Sequence, residues 1–167
     1  MNLVVENAIW CLNVINKFMK AALTEAKKAY LIDEVPVGAV IVYNNKIIAR
    51  GHNTREKEQS VLGHAEINAI QKASKKVGSW RLEDCEMYVT LEPCSMCSGA
   101  IIQSRIKNLY FGAYDPKTGA CGSVLNLFEN DFNHKVNVKV GIMEDECSQI
   151  IKDFFKALRQ KNIDNNQ

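Results

Sequence analysis

The spacing of apolar residues along the chain alternates between that of helices and that of strands. Near the N-terminus, alanines recur three and four positions apart, which is the spacing of one helix face. Two runs rich in valine and isoleucine then flank Asn44 and Asn45, residues that tolerate the positive φ of a tight turn, and so indicate an antiparallel hairpin. The first predicted elements are helix Lys20–Tyr30, strands Gly38–Tyr43 and Lys46–Gly51, a loop over residues 53–63, and a helix over residues 64–77.

The second half of the chain continues this alternation. A short apolar strand precedes Pro93, a residue type favoured in the first turn of a helix, and a further strand leads into a glycine-rich loop. The last segment has acidic residues at its beginning and basic residues at its end, as the helix dipole favours. This order predicts an α/β fold in which helices cover a mixed sheet. The remaining predicted elements are strand Glu86–Leu91, a helix over residues 93–105, strand Lys107–Ala113, a loop over residues 115–123, a weak strand Val136–Val140 and helix Asp145–Lys161.

Composition narrows the class of protein. The 167 residues fit one domain, and a net charge of +2 lacks the large positive field of a dedicated nucleic-acid binder, so any RNA contact must be local. The first eighteen residues lack the basic cluster and cleavage site of a signal peptide, and no stretch is long and apolar enough to span a bilayer. We therefore predict a cytoplasmic domain over residues 19–161, between an extension of unknown role (1–18) and a tail (162–167).

Three residues at two predicted helix starts form a candidate metal site. Zinc favours imidazole and thiolate ligands, and a catalytic zinc typically has three protein ligands and a fourth position for water. His64, Cys94 and Cys97 supply that number, and the Cys-x-x-Cys spacing places both sulfur atoms on one helix face. The ion can lower the pKa of a bound water from ~15.7 to ~7, which makes hydroxide the nucleophile. We predict one zinc ion per subunit.

Glu66 is expected to have a different role from His64. Residues two apart on a regular helix point in roughly opposite directions, about 200° around the axis. The two side chains can converge on one site only if it lies beyond the helix tip, with His64 near the cap in a non-helical conformation. Glu66 is therefore predicted to be the catalytic acid/base, which takes a proton from the bound water and passes it to a ring nitrogen and then to departing ammonia.

These residues carry a resemblance to a known family. The tripeptide HAE at 64–66 with PCSMC at 93–97 resembles the H-x-E…P-C-x-x-C signature of the zinc-dependent nucleobase deaminases. The longer segments EVPVGAVIV, GHN, TLEPCSMCSGAIIQSRI and FGAYDPKTGACGS are similar to the bacterial tRNA-specific adenosine deaminases, within the cytidine/deoxycytidylate deaminase superfamily. The similarity is nearly continuous from Met19 to Gln160.

The resemblance implies a three-layer α/β/α cytidine deaminase-like fold with a mixed sheet of about five strands. It implies a homodimer that converts adenosine to inosine at the wobble position of a tRNA anticodon loop, through attack of zinc hydroxide on adenine C6 and release of ammonia. The segment TREKEQSVLG after the GHN motif departs from the family pattern, as do Tyr114 and Pro116, which leaves RNA contacts there open. The implied substrate contacts are Asn53 to the nucleoside, Val35, Pro36, Val37 and Leu91 around the base, and Asp115 to a flanking nucleotide.

Other interpretations stay open. If Cys121, Cys85 or His52 were a fourth ligand, the zinc would be structural and would stabilise the fold instead of activating water. That interpretation leaves Glu66 without a role. A thioredoxin-like pair would need a βαβ context that the sequence lacks. A deaminase of guanine, cytosine or deoxycytidylate would use the same zinc chemistry, whereas a non-catalytic zinc module that binds RNA would not need Glu66. Val37, the loop KTGACGS and the last helix favour the tRNA family.

Overall fold

A five-stranded mixed sheet forms the centre of the protein. The computed structural model describes residues 3–164, with side chains for residues 11–164. The elements are α1 Leu3–Leu31, β1 Gly38–Tyr43, β2 Lys46–His52, α2 Arg55–Glu58, α3 Ala65–Val77, β3 Glu86–Leu91, α4 Ser95–Gln103, β4 Asn108–Ala113, a 3-10 turn Leu127–Glu129, β5 Asn137–Lys139 and α5 Glu144–Asp164. The strand order is β2-β1-β3-β4-β5. β1 is antiparallel to β2 and β3, and the β3–β4 and β4–β5 pairs are parallel.

Helices cover both faces of the sheet, because successive side chains of a strand point to opposite faces. On one face, Ile41 and Met87 belong to a core with residues of α3 and α4. On the other face, Val40 and Tyr88 belong to a core with residues of α1 and α5. The predicted three-layer α/β/α fold with a mixed sheet of five strands is confirmed.

The first helix is longer than its sequence pattern predicted. Helix α1 begins at Leu3 rather than at Lys20 and continues without interruption through the segment that was predicted to be an extension. Ile15 and Phe18 of that segment are buried and pack in the same core as the residues that follow them. The helix extends through this segment because the apolar face of the segment is buried against the sheet. Residues 1–2 of the predicted extension lie outside the described residues.

Other element ends differ by a few residues. The predicted loop over residues 53–63 contains the short helix α2. Helix α4 begins at Ser95, so Pro93 precedes the helix instead of lying in its first turn, because the residue between them caps the helix with an extended backbone. Helix α5 continues past Lys161 to Asp164, and residues 165–167 of the predicted tail are not described. None of the helices within residues 3–164 combines the length and hydropathy that a bilayer crossing needs.

Candidate active site

Two helix starts meet beside the sheet. His64 is the N-cap residue of α3, with φ −80° and ψ 147°, and Cys94 is the N-cap residue of α4, with φ −71° and ψ 175°. Neither side chain makes a capping hydrogen bond, so both can face a common point beyond the helix tips. Cys97 lies one turn further along α4. The prediction that His64 adopts a non-helical conformation at the cap is confirmed.

The three predicted ligands lie close enough to share one ion. His64 Nδ1 is 3.5 Å from Cys97 Sγ and 3.7 Å from Cys94 Sγ, and all three donor atoms lie within 4.8 Å of one another. Tetrahedral zinc, with Zn–N near 2.0–2.1 Å and Zn–S near 2.3 Å, sets such donor atoms about 3.5–3.8 Å apart. The donor set and its spacing therefore fit a zinc ion.

The proximity of these groups changes their protonation. Hydrogen bonds with Cys97 and then with His64 together lower the pKa of the Cys94 thiol to about 4, although burial acts in the opposite direction. The hydrogen bond with Cys94 and burial raise the pKa of Cys97, and the bond with Cys94 also raises the pKa of His64. Without a metal ion, Cys94 is therefore the thiolate and Cys97 keeps its proton. A divalent cation between the two sulfur atoms would stabilise both as thiolates.

Glu66 lies beside this cluster, in the first turn of α3. Its exposed fraction is 4%, and desolvation raises the pKa of its carboxyl group to about 6. The charge of His64 and a hydrogen bond with Cys97 act in the opposite direction. A carboxyl group whose pKa is raised to about 6 can both accept and return a proton, so this environment suits an acid/base.

A cavity of about 190 Å³ opens next to the cluster. Five of the six predicted substrate contacts line it, together with two of the predicted ligands and the predicted acid/base. Pro36 is buried and does not line the cavity. The lining residues that the sequence predicted are Val35, Val37, Asn53, Leu91, Asp115, His64, Cys94 and Glu66.

The side chain of Asn53 is held in one orientation at the cavity wall. Its Nδ2 donates to Glu34 Oε2 and to the carbonyl oxygen of Val35, both at 3.3 Å. Its Oδ1 accepts a hydrogen bond of 3.4 Å from the Arg55 backbone N–H. Glu34 is 1% exposed and also accepts from the Lys57 N–H at 2.7 Å. The buried side chain of Glu34 therefore fixes the amide of Asn53 at the cavity wall.

Asp115 uses its carboxylate within its own loop. Its Oδ1 accepts from the backbone N–H groups of Lys117 at 2.9 Å and Thr118 at 3.3 Å, and its Oδ2 accepts from the Thr118 hydroxyl at 2.6 Å. The loop thus has a fixed shape where it forms the cavity wall.

Sequence reasoning missed six further residues that line the cavity. One of them, Glu92, directly precedes Pro93 and the first cysteine of the motif, but the sequence carries no signal that it faces the cavity. These missed residues are Glu34, Arg55, Glu56, Ala65, Glu92 and Thr118.

The side chains proposed to close a structural zinc site lie elsewhere. Cys121 is buried, with its Sγ 3.6 Å from Ser98 Oγ, and His52 Nδ1 lies 3.2 Å from Glu25 Oε2. Neither these residues nor Cys85 belongs to the cluster of potential ligands among the described residues. A set of three ligands leaves one tetrahedral position for water or substrate.

Comparisons with known proteins agree with this geometry. The family model of the MafB19-like deaminases matches residues 14–159. The tRNA-specific adenosine deaminase of Bacillus subtilis is 50% identical over 145 residues, which are 86% of this chain and 90% of the relative. That of Streptococcus pyogenes serotype M18 is 41% identical over 145 residues, covering 86% and 91%. A solved structure from work on A-to-I editing by tRNA:A34 deaminases superposes with a TM-score of 0.78 at 44% identity, covering 80% of this chain and 98% of that one.

The layered fold and the His-Cys-Cys cluster with its buried glutamate define a deaminase of the cytidine deaminase-like class. Within that class, identity of 41–50% extends over nearly the whole length of the relatives. The chain therefore belongs to the family of tRNA-specific adenosine deaminases.

Proposed function

We propose that this protein is a zinc-dependent hydrolytic deaminase that converts adenosine to inosine at the wobble position of a tRNA anticodon. The observation that carries the proposal is the convergence of two helix starts, which brings His64, Cys94 and Cys97 together beside a cavity that Glu66 lines. The substrate follows from the relatives, which bear the name tRNA-specific adenosine deaminase at 50% and 41% identity.

In this proposal, His64 Nδ1 and the sulfur atoms of Cys94 and Cys97 hold one zinc ion per subunit. When bound, zinc supplies a Lewis acid that activates a water molecule for attack on adenine C6. The Glu66 carboxylate would transfer the two protons of that water in succession, the first to the ring nitrogen next to C6 and the second to the amino group. The C6–N bond then breaks, ammonia leaves, and the oxygen of the water remains on C6 as the carbonyl oxygen of inosine. Because Glu66 is 4% exposed, its carboxyl group has little contact with bulk water.

The base would bind in the cavity next to the cluster, where Val35, Val37 and Leu91 supply apolar contacts and Asn53 a fixed amide. This arrangement suits a planar base with polar edges, since the apolar walls exclude water while the amide sets orientation. The metal cluster and Glu66 act on the ring that this pocket selects.

A second groove favours RNA over a free base as the substrate. It has a volume of about 440 Å³ and shares Val35, Leu91, Asp115 and Thr118 with the catalytic cavity. Anticodon loops are recognised by unstacked bases on aromatic side chains and by phosphates on lysines. The groove offers both kinds of contact in Tyr114, Phe155, Lys117 and Lys152. Phe155 is 38% exposed whereas its neighbour Phe154 is buried, so one of this pair is available to a ligand.

The homodimer and the cytoplasmic location predicted from the family also belong to this proposal. The family resemblance supports the dimer. One chain has a mass of 18.8 kDa. Size-exclusion chromatography with light scattering on the zinc-loaded protein should give twice that mass. A single-chain mass would remove the dimer from the proposal without affecting the chemistry.

A substrate comparison tests the proposed activity. The zinc-loaded protein is incubated with an anticodon stem-loop carrying adenosine at the wobble position and, separately, with guanine, cytidine and deoxycytidylate. Inosine and ammonia are expected in equal amounts from the stem-loop alone, and a stem-loop with guanosine at that position serves as the control. Ammonia from the small substrates and none from the stem-loop would overturn the tRNA assignment in favour of a small-substrate deaminase.

A further inference from the structure

Glu92 is a buried carboxylate at the junction between the metal-binding segment and the cavity wall. It follows the last residue of β3, precedes Pro93 and Cys94, and lines the cavity. Its exposed fraction is 2%. Acidic side chains are rarely buried to this degree unless they are paired, so its partners indicate its role.

All of these partners belong to one loop. Glu92 Oε2 accepts from the Asp115 backbone N–H at 3.0 Å and from the Ser123 hydroxyl through a short hydrogen bond. Glu92 Oε1 accepts from the backbone N–H groups of Cys121 at 2.9 Å and Ser123 at 3.0 Å. The carboxylate thus binds both ends of the segment from Asp115 to Ser123.

These four hydrogen bonds occupy the accepting capacity of both oxygen atoms, since a carboxylate has about four lone-pair sites. Glu92 therefore lacks a free acceptor for a substrate proton, unlike Glu66. Its position in the cavity wall is explained by the loop that it holds.

The same loop contacts the metal-binding segment through its backbone. The Ala120 N–H donates to the Pro93 carbonyl oxygen at 2.9 Å, and Gly119 forms an antiparallel bridge with Cys94. A side chain at Gly119 would collide with the Glu92 carboxylate, so this close approach requires glycine. The loop is therefore seated directly against the residue that precedes the first cysteine ligand.

We propose that Glu92 is a positioning residue that sets the substrate-binding wall, by fixing the Asp115–Ser123 loop relative to the cysteine ligands. Through that loop it places Asp115 and Thr118, which line both the catalytic cavity and the adjoining groove. This inference rests on the proposed function, because the wall is assigned to the RNA substrate. Glu92 acts on binding, since the ligands and Glu66 are held by α3 and α4.

The Glu92→Gln variant tests this role. Glutamine keeps the size of the side chain but turns one oxygen into an N–H₂ donor, so at least one loop N–H loses its acceptor. We expect the KM for the anticodon stem-loop to rise about tenfold, while kcat changes less than about threefold and zinc stays at one per chain. Hydrogen exchange of the Asp115, Cys121 and Ser123 amides should become faster, with the amides of α3 and α4 unaffected.

Glu86→Gln is the matched control. Glu86 is the first residue of β3, about 20 Å from Glu92 along the strand, and accepts hydrogen bonds from Tyr88 Oη and Asn108 Nδ2. Its replacement also removes a bonded carboxylate, but the KM and the loop amide exchange should stay at wild-type values. An equal rise in KM in both variants would mean general destabilisation and would overturn the inference.

Ser123→Ala provides a second, milder perturbation that does not depend on how Glu92→Gln folds. It removes one donor to Glu92, so we expect the KM to rise about threefold. If the hydroxyl acts through Glu92, the double variant should show no larger KM than Glu92→Gln alone. Additive effects would contradict the shared mechanism.

The two readouts separate this inference from the proposed function. A wild-type protein that leaves the stem-loop unchanged would overturn the tRNA activity, yet hydrogen exchange would still report whether Glu92 fixes the loop. Unchanged exchange in Glu92→Gln would overturn the positioning role even if the wild-type protein deaminates the stem-loop.

Discussion

Replacement of Glu66 by alanine should separate proton transfer from metal binding. The substitution removes the buried carboxylate but none of the donor atoms of His64, Cys94 and Cys97, which lie within 4.8 Å of one another. We therefore expect Glu66→Ala to bind one zinc ion per chain, as the wild-type protein is expected to do, and to lose turnover.

The size of the loss follows from the role of the group. A positioned general acid/base contributes a factor of about 10²–10⁴, and each factor of ten corresponds to about 1.36 kcal/mol, so the barrier should rise by about 3–5 kcal/mol. Burial of Glu66 raises its pKa to about 6, so ionisation of this group costs the metal-free folded protein stability. Removing the carboxyl group should consequently leave the melting temperature of the metal-free protein unchanged or raise it.

The assay combines single-turnover formation of inosine from the stem-loop with zinc analysis by mass spectrometry and thermal unfolding. Glu58→Ala, which removes an exposed carboxylate from α2, is the control and should react at the wild-type rate. Wild-type turnover in Glu66→Ala would refute the proton-transfer role. Loss of zinc from that variant would refute the separation of acid/base from ligands.

Two further predictions concern the ligand count and the packing behind the site. Cys121→Ser should keep one zinc per chain by elemental analysis, because the Cys121 sulfur contacts Ser98 and lies outside the ligand cluster; metal loss would instead support a closed structural site. Gly51→Ala should lower the melting temperature by about 2–12 °C in calorimetry, because its methyl group would overlap the Ala65 backbone at the start of α3. Gly99→Ala in α4 is the control, since a methyl group there meets no atom within 4 Å apart from its chain neighbours and the backbone of its own helix, and should leave stability unchanged or raise it. Equal melting temperatures in both variants would contradict the packing argument.

The elements that were predicted well are those with local causes. The hairpin of β1 and β2 was predicted because two apolar runs flank Asn44 and Asn45, which have φ of 48° and 57° in the structure. The cap conformation of His64 followed from the angle between residues two apart on a helix. The three-layer arrangement was expected from family resemblance, since the sequence pattern alone gave helices over a mixed sheet.

The start of α1 at Leu3 was missed because the N-terminal part of the helix is stabilised by tertiary packing and not by its local sequence. Ile15 and Phe18 lie on the same helix face as Met19 and Ala22, yet that short stripe gains its stability from burial against the sheet. Helix propensity over the isolated segment does not contain this contribution, because most helical stability in proteins comes from packing of the apolar face.

The candidate site, like the fold, contains some side chains that a local motif predicts and others that it does not. The cluster of His64, Cys94 and Cys97 was predictable as a potential metal site, because few residue types supply nitrogen and sulfur ligands. Glu34 was missed because its donors, the Asn53 amide and the Lys57 N–H, lie 19 and 23 residues further along the chain. Glu92 was missed because three of its four donors are backbone N–H groups, which nearly every residue type possesses. The donors to Glu92 lie 23 to 31 residues further along the chain, so no local spacing marks the pair. A site motif therefore predicts the candidate ligands and the candidate acid/base, whereas the buried carboxylates behind the cavity walls become apparent from the folded backbone.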